Sequence, residues 1–580
     1  EFVVEAWGQE GIQTITNTVA VPKVKCWSVE HPHLYDLKTE LYLEGECVQA
    51  ERDTIGFCTK EFRPDQGFLL NGSKVKLNGV CEHHDLGCLG AAYNHRAMER
   101  KLEKLKAMGV NALRLTHNMF APDVMELADS MGFLVMDEAF DEWELPKNKW
   151  STGHNVYPPK HQGYYRYFPE YHSRDLRTMI LRDRNHPSLI LWSIGNEIDY
   201  PNDPYCHPRF ETMTGNNDAN KPEEERRYNP DRPNAERLKD LALMLAEEVR
   251  SIDTTHPVTL AAAFPELSSH LGFLDALDVA GYNYKEHLYA ESHKRFPRLP
   301  FLGSENGHSL EAWKAVTDNE YISGQFLWTG IDYLGEAHGW PYRASGAGLL
   351  TLAGFEKTGY YRRMSFWAET PMAHLATVRA DAAASADQKE WLPYLEYWNY
   401  TEGEMIEVIC YTNLTQAELF LNGESLGVQQ RSSEEDGIRW QVPFHPGTLS
   451  VHASGLLSTS PADSQPKEAC DQLETVSAPC RLAMQAYSTS PEEILQIEVS
   501  VLDEKGRLAI TDSSRISVHI SGGTLLGLES GDIADCTEYT SPLRHAYHGR
   551  LLIFCRKDGA APMTVTAEAE ALASARIVIS

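Results

Sequence analysis

LILWSIGNEI occupies residues 189–198 and PFLGSENG residues 300–307. In the first stretch only Ser193 interrupts the apolar run Leu189–Ile194, which stops at Gly195-Asn196-Glu197. The second behaves similarly, ending at Ser304-Glu305-Asn306. A run this apolar reads as a strand buried on both faces, as in a parallel sheet. Polar groups placed at the exit of such a strand face the site when the sheet is a closed parallel barrel.

Outward from 189–198, short apolar runs alternate with helical patterns. Strands are expected at 75–83, 110–117, 133–139, 189–195, 257–263, 276–284, 300–305 and 321–330. Between them fall helices at 95–108, near 122–131, at 172–184, around Leu238–Val249, near 268–274, at 285–296, near 310–317 and near 360–369. Strand-then-helix repeated eight times is the arithmetic of a TIM (β/α)8 barrel. A doubly wound open sheet is the alternative, but the first strand lacks the glycine-rich phosphate loop typical of one.

Residues 1–62 alternate in the manner of β-strands, for example Phe2-Val3-Val4 and YDLKTELYL (35–43), and read as an immunoglobulin-like sandwich lacking part of its first strands. Residues 67–79 read as a hairpin with an Asn-Gly or Gly-Ser turn. The barrel is assigned to 63–375, a second sandwich to 385–456 and a third, immunoglobulin-like, to 476–580, with the polar stretch 455–475 as a linker. The expected fold is thus multidomain, α/β plus β: a central barrel flanked by sandwiches.

The chain has 580 residues, too many for one core. A net charge of −30 argues against nucleic acid and against anionic membranes, since no basic footprint is available to hold either. No apolar run approaches a membrane-spanning length. The 11 cysteines form no C-x-x-C pair and fit free thiols in a reducing compartment, which favours the cytoplasm.

Glu197 and Glu305 follow the fourth and seventh strands, across the barrel mouth from one another. Two carboxylates flanking a bond are the minimum equipment for glycoside hydrolysis, one ionised and one kept protonated. A capping Asn196 beside a surface Glu197 is the bland alternative.

WSIGNE and GSENG, together with RDRNHPSLILWSIGNE, WSVEHPHLYDLKTELY, GFLLNGSKVKLNGVCEHHDLG and GQFLWTGIDYLGE, resemble glycoside hydrolase family 2. The tail sandwiches resemble the extra domains of a bacterial β-galactosidase subgroup. The resemblance implies retention through a covalent glycosyl-enzyme, with Glu305 as nucleophile, Glu197 as acid/base and carboxyls roughly 5–5.5 Å apart. It implies that Asn196 hydrogen-bonds the sugar 2-hydroxyl, that Arg114 keeps the nucleophile ionised and that Tyr282 touches it. His84, Asp85 and His117, beside His83 and Asn118, match sugar-binding positions, and core or capping roles are equally open for the histidines. Of Asp137 and Glu138, one matches a substrate contact and the other an arginine partner. Trp328 matches the tryptophan flooring the sugar; Trp192 reads as core.

A terminal β-galactoside is the expected substrate. Uronidases of this family carry Asn-x-Lys after the eighth strand; here Phe355 replaces the Asn and only Lys357 remains, although Arg343 and Lys357 offer charge. Glu142-Trp143-Glu144 stands where metal-dependent relatives have Glu-x-His and reads as solvated charge, so no metal and no cofactor are expected. The family's jelly-roll domain is absent from the chain. The implied partners are a glycoside or oligosaccharide, and further copies of the chain in a homo-oligomer. The competing readings are a β-glucuronidase, an inactive carbohydrate-binding fragment, and a metal-dependent hydrolase built on His83-His84-Asp85.

Overall fold

The computed structural model describes residues 16, 18–147, 163–200, 204–212, 228–337, 339–385, 393–459, 465–487 and 494–580. Eight strands close into a parallel barrel: β1 (Leu77–Glu82), β2 (Ala112–Leu115), β3 (Leu134–Glu138), β4 (Leu189–Asn196), β5 (Val258–Ala262), β6 (Ala280–Asn283), β7 (Phe301–Asn306) and β8 (Ile322–Leu327). Each runs beside its sequence neighbour, and β8 pairs with β1 to complete the ring. The eight strands expected from the sequence are all present.

β4 illustrates why they form. Every residue from Leu189 to Asn196 is buried. Leu189, Trp192 and Ile194 pack with the helical layer, while Ile190 packs inside the barrel with Met136, Leu302 and Phe326. Trp192 is core, its indole donating to Asp253 Oδ2 at 2.9 Å. The helices begin and end where their caps dictate. Asn94 accepts from Ala97 N at the start of His95–Met108, and Gly109, at φ +102°, ends that helix.

Lys60–Arg63, Gly67–Leu70 and Ser73–Lys74 form a small antiparallel sheet whose Phe68 and Leu70, with Trp27, join the core cluster inside the barrel. Its tight turn is Asn71-Gly72, both at positive φ. Of the sandwich expected over 1–62, the described residues hold one antiparallel ribbon, Tyr35–Leu43 against Glu46–Ile55, exposed along nearly its whole length. Phe2-Val3-Val4 lies outside the described residues.

After the barrel, a three-stranded sheet (Ala373–Arg379, Met405–Thr412, Ile438–Pro443) faces a four-stranded one (Leu414–Leu421, Glu424–Gln430, Thr448–Leu457, Lys467–Glu474) over a shared core of Trp398, Leu419 and Trp440. This corrects two expectations. The sandwich outruns 385–456 at both ends, and 455–475 is no linker, because Lys467–Glu474 pairs with Thr448–Gly455 as an edge strand. That strand is polar and half-exposed, so it carries little apolar alternation. The last domain is an eight-stranded sheet from Arg481 to Ile579, folded around Ile497, Val499, Ile553 and Val565.

Candidate active site

The polar residues at the C-terminal ends of β2, β3, β4, β6 and β7 meet in one buried network centred on Arg114, which is 0% exposed. Its Nη2 donates to Glu138 Oε1 and Oε2 at 2.9 and 2.8 Å and to Asn196 Oδ1 at 2.8 Å. Its Nη1 donates to Glu305 Oε2 and Ser304 O at 2.8 and 2.9 Å. Only a guanidinium presents enough rigid donors to serve two carboxylates and an amide at once. Burial pushes the Glu138 carboxyl up, but Arg114 and hydrogen bonds from His117 and Ser193 outweigh it and hold Glu138 below the usual range. Burial also raises Glu305; Arg114 pulls it down, Glu197 pushes it up again, and the carboxyl stays above its ordinary value.

Glu197 follows β4 with φ +47°, its N–H donating to Ala261 O of β5 at 2.7 Å. Asn283 on β6 ties the two strand ends together. Its Nδ2 donates to Asn196 Oδ1 at 3.1 Å and approaches Glu197 Oε1 at 3.4 Å, while its Oδ1 accepts from Ser304 Oγ at 2.7 Å. The Asn196 amide donates to Asp141 Oδ1 at 3.0 Å and points its nitrogen at His117 Nε2, 3.4 Å away. Lys147, almost fully buried, holds Asp141 Oδ1 at 2.7 Å and Asn196 O at 2.8 Å.

The tyrosine expectation needs correction. Tyr282 lies within β6 and turns to the helical layer, where its hydroxyl bonds Ser292 and its ring meets Tyr289 and Phe301. Tyr284, two residues on and at φ +55°, leaves the strand and brings its hydroxyl beside Glu305. Burial of the Tyr284 hydroxyl, with Glu305 and Glu197 nearby, raises its pKa, so it remains a donor. The residue as a whole is 41% exposed.

The histidines after β1 also divide. His83 enters the mouth, stacked on Tyr333 (3.7 Å between centroids) and edge-on to Trp328 and His117. His84 turns away to Tyr93 and Phe120, and Asp85 spends its oxygens on Gly87 N and Leu334 N. Neither His84 nor Asp85 joins the network. His117 does: its Nδ1 meets Glu138 Oε1 at 2.6 Å, and its ring stacks on Trp328 at 5.4 Å and 10°. Asp137 faces outward against Asp183, and burial together with that neighbouring acid raises its pKa well above the ordinary range.

Other charges are committed elsewhere. Glu142 is buried, accepting from Lys147 N, and Glu144 binds Tyr205 and Arg237, so neither is free solvated charge. Among the described residues no group of His, Cys, Asp and Glu is arranged to hold a metal ion. Arg343 donates to Asp535 O and Asp532 O of the last sandwich, and Lys357 is paired with Asp332 at 2.6 Å. No described helix is long and apolar enough to cross a membrane.

A barrel with two mouth carboxylates from β4 and β7, an arginine between acids and an aromatic wall is the architecture of a barrel glycosidase. Comparison with known proteins agrees. The family model "Glycosyl hydrolases family 2, TIM barrel domain" matches residues 63–329, "Glycosyl hydrolases family 2" matches 4–57, and "Glycoside hydrolase family 2 C-terminal domain 5" matches 483–578. A domain of unknown function matches 403–456. A β-galactosidase of Bacteroides ovatus is 33% identical over 99% of this chain and 69% of its own length. A putative β-glucuronidase of Formosa agariphila is 28% identical over 92% of this chain, which spans about half (51%) of that protein. The crystal structure of a family 2 member from Bacteroides cellulosilyticus superposes with a TM-score of 0.79 at 30% identity, covering 96% of this chain and 68% of the other. The chain belongs to glycoside hydrolase family 2: it is a glycoside hydrolase, of the β-glycosidase kind, with a carbohydrate substrate.

Proposed function

We propose that the chain hydrolyses terminal β-D-galactosides with retention of configuration. Ionised Glu305 attacks the anomeric carbon and forms a C1–O bond as the bond to the leaving oxygen breaks. Protonated Glu197 gives its proton to that oxygen, so the aglycone departs as an alcohol. Glu197, now a carboxylate, takes a proton from water; the water oxygen bonds C1, and the Glu305 ester is released as carboxylate.

The observation that carries this proposal is the convergence of the two acids on one polar network. Arg114 donates to Glu305 Oε2 at 2.8 Å, which favours its charged form against burial, and the Asn283 amide lies 3.4 Å from Glu197 Oε1 while donating to Asn196 Oδ1. Asn196, held by Arg114 and Asp141, is placed for the sugar 2-hydroxyl, and Trp328 for the apolar face of the ring.

The galactoside preference rests on charge. A uronate needs a cation, and both Arg343 and Lys357 are bound to other partners. The mouth itself carries Glu138, Glu305 and Asp141 against Arg114 and Lys147, a setting that disfavours a second anion. The similarity to a β-galactosidase over nearly the whole chain supports the same substrate.

The test is nitrophenol release from β-galactoside, glucuronide, glucoside, mannoside and fucoside. A dominant galactoside rate supports the proposal, and dominant glucuronide turnover refutes it. Glu305→Gln should abolish turnover in a folded protein. Glu197→Ala should slow poor leaving groups far more than activated aryl ones, with rescue by azide.

A further inference from the structure

Trp328, the platform of the proposed sugar site, is held from behind by a chain of buried polar contacts that leaves the barrel. His308, three residues beyond Glu305, directs Nε2 at Trp328 O (2.8 Å) and Ala347 O (3.2 Å). Both partners are carbonyls, so Nε2 carries the proton. Burial and the neighbouring Arg363 lower the His308 pKa to about 3, and the ring is neutral. Its own carbonyl accepts from Arg362 Nη1 at 2.6 Å and from Arg363 Nη2 at 2.9 Å. Arg363 is sealed among Trp313, Phe366 and Trp367. Arg362 continues outward: its Nε donates to Asp436 Oδ2 at 2.6 Å, and Asp436 is fixed by Arg439 on its other oxygen at 2.6 Å. Asp436 and Arg439 belong to the segment that matches a domain of unknown function.

We infer that the sandwich containing residues 403–456 is a positioning element of the active site, acting through Asp436, Arg362 and His308 on Trp328. The contacts run unbroken from that domain to the sugar platform, and each side chain on the way is largely buried. A second ion pair crosses the same boundary, Lys314 with Glu434 at 2.7 Å, but it is exposed and touches nothing in the chain of contacts. It is the natural control. The inference rests on the proposed role of Trp328 as the sugar floor.

The experiment compares D436N and E434Q with the unaltered chain by two readouts. Hydrogen–deuterium exchange of the peptide carrying residues 326–331 should quicken in D436N while residues 110–117 stay unchanged, and E434Q should match the parent. KM for nitrophenyl β-galactoside and Ki for galactose should rise together in D436N, roughly three- to tenfold, the worth of one aromatic contact, with kcat held within twofold. H308Q, which keeps an N–H donor, should retain more of the parent KM than H308L. Unchanged exchange at 326–331 in folded D436N overturns the link between the domains. Faster exchange with unchanged KM and Ki overturns the role of Trp328 as the platform.

Discussion

Arg114→Lys keeps the charge of the network and removes its fork. One ammonium cannot hold Glu138 through both oxygens while also reaching Glu305, Ser304 O and Asn196, all of which Arg114 contacts at 2.8–2.9 Å. A buried carboxylate that loses its partner costs about 3–5 kcal/mol. The alternative for Glu138 is to take up a proton, which at pH 7 costs about 3.7 kcal/mol for an acid of pKa ~4.3 (1.36 × 2.7). The two routes agree, and a loss of about 3–4 kcal/mol should lower the barrel melting transition by on the order of 10 °C. Because Glu138 is held below its ordinary pKa, this contribution is fully present above the usual glutamate range and is lost as pH falls through the depressed value, so the gap between parent and variant should close in acid. Glu305 loses its largest charge-stabilising partner, and kcat/KM at pH 7 should fall at least ~100-fold, about 2.7 kcal/mol. The assays are calorimetric melting between pH 4 and 8 and aryl galactoside kinetics. A folded variant with kcat/KM within threefold of the parent and an unchanged melting temperature would refute the account of Arg114.

Glu305 sits above its ordinary range and, as the proposed nucleophile, must be ionised to attack, so activity should rise with pH through a limb lying above the usual glutamate value, as a pH profile of kcat/KM would reveal. Asp332 is raised to about 6 by burial against the pull of Lys357; Lys357→Met should therefore lower the melting temperature more at pH 8, where the acid is charged and unpaired, than at pH 5, where it is protonated. The same variant should leave the ratio of galactoside to glucuronide rates unchanged. Tyr284→Phe should cut kcat/KM at least ~10-fold, whereas Tyr282→Phe should cost about 1 kcal/mol of stability and leave kinetics alone, because among the described residues its hydroxyl bonds Ser292, within the core.

The barrel was legible because each strand announces itself as a short apolar run between helical periods, and Glu197, Glu305, Asn196 and Arg114 lie at strand ends or within two residues of one. What escaped depends on which way a side chain leaves the strand. Tyr282 and Tyr284 stand in one short stretch; the first keeps the strand's outward parity, and the second breaks it with a left-handed backbone. His83 and His84 are adjacent and diverge, and what selects His83 is Tyr333, far along the chain, stacking on it. Asn283 was within reach of a strand-end argument. Asp141 and Lys147 were not, since their value comes from holding Asn196 from outside β4. The edge strand Lys467–Glu474 failed to register because half its surface is wet and its composition is that of a loop.

The backbone at Glu197 carries a consequence for how such a chain evolves. At φ +47° the residue occupies a conformation that costs an L-amino acid about 1 kcal/mol or more and that glycine or asparagine adopts more readily. Replacements favoured by stability alone at this position are therefore ones that remove the proposed proton donor. Neutral drift toward a more robust fold leads here to a silent barrel, and a lineage that keeps glutamate at 197 does so against a standing pull from its own folding energy.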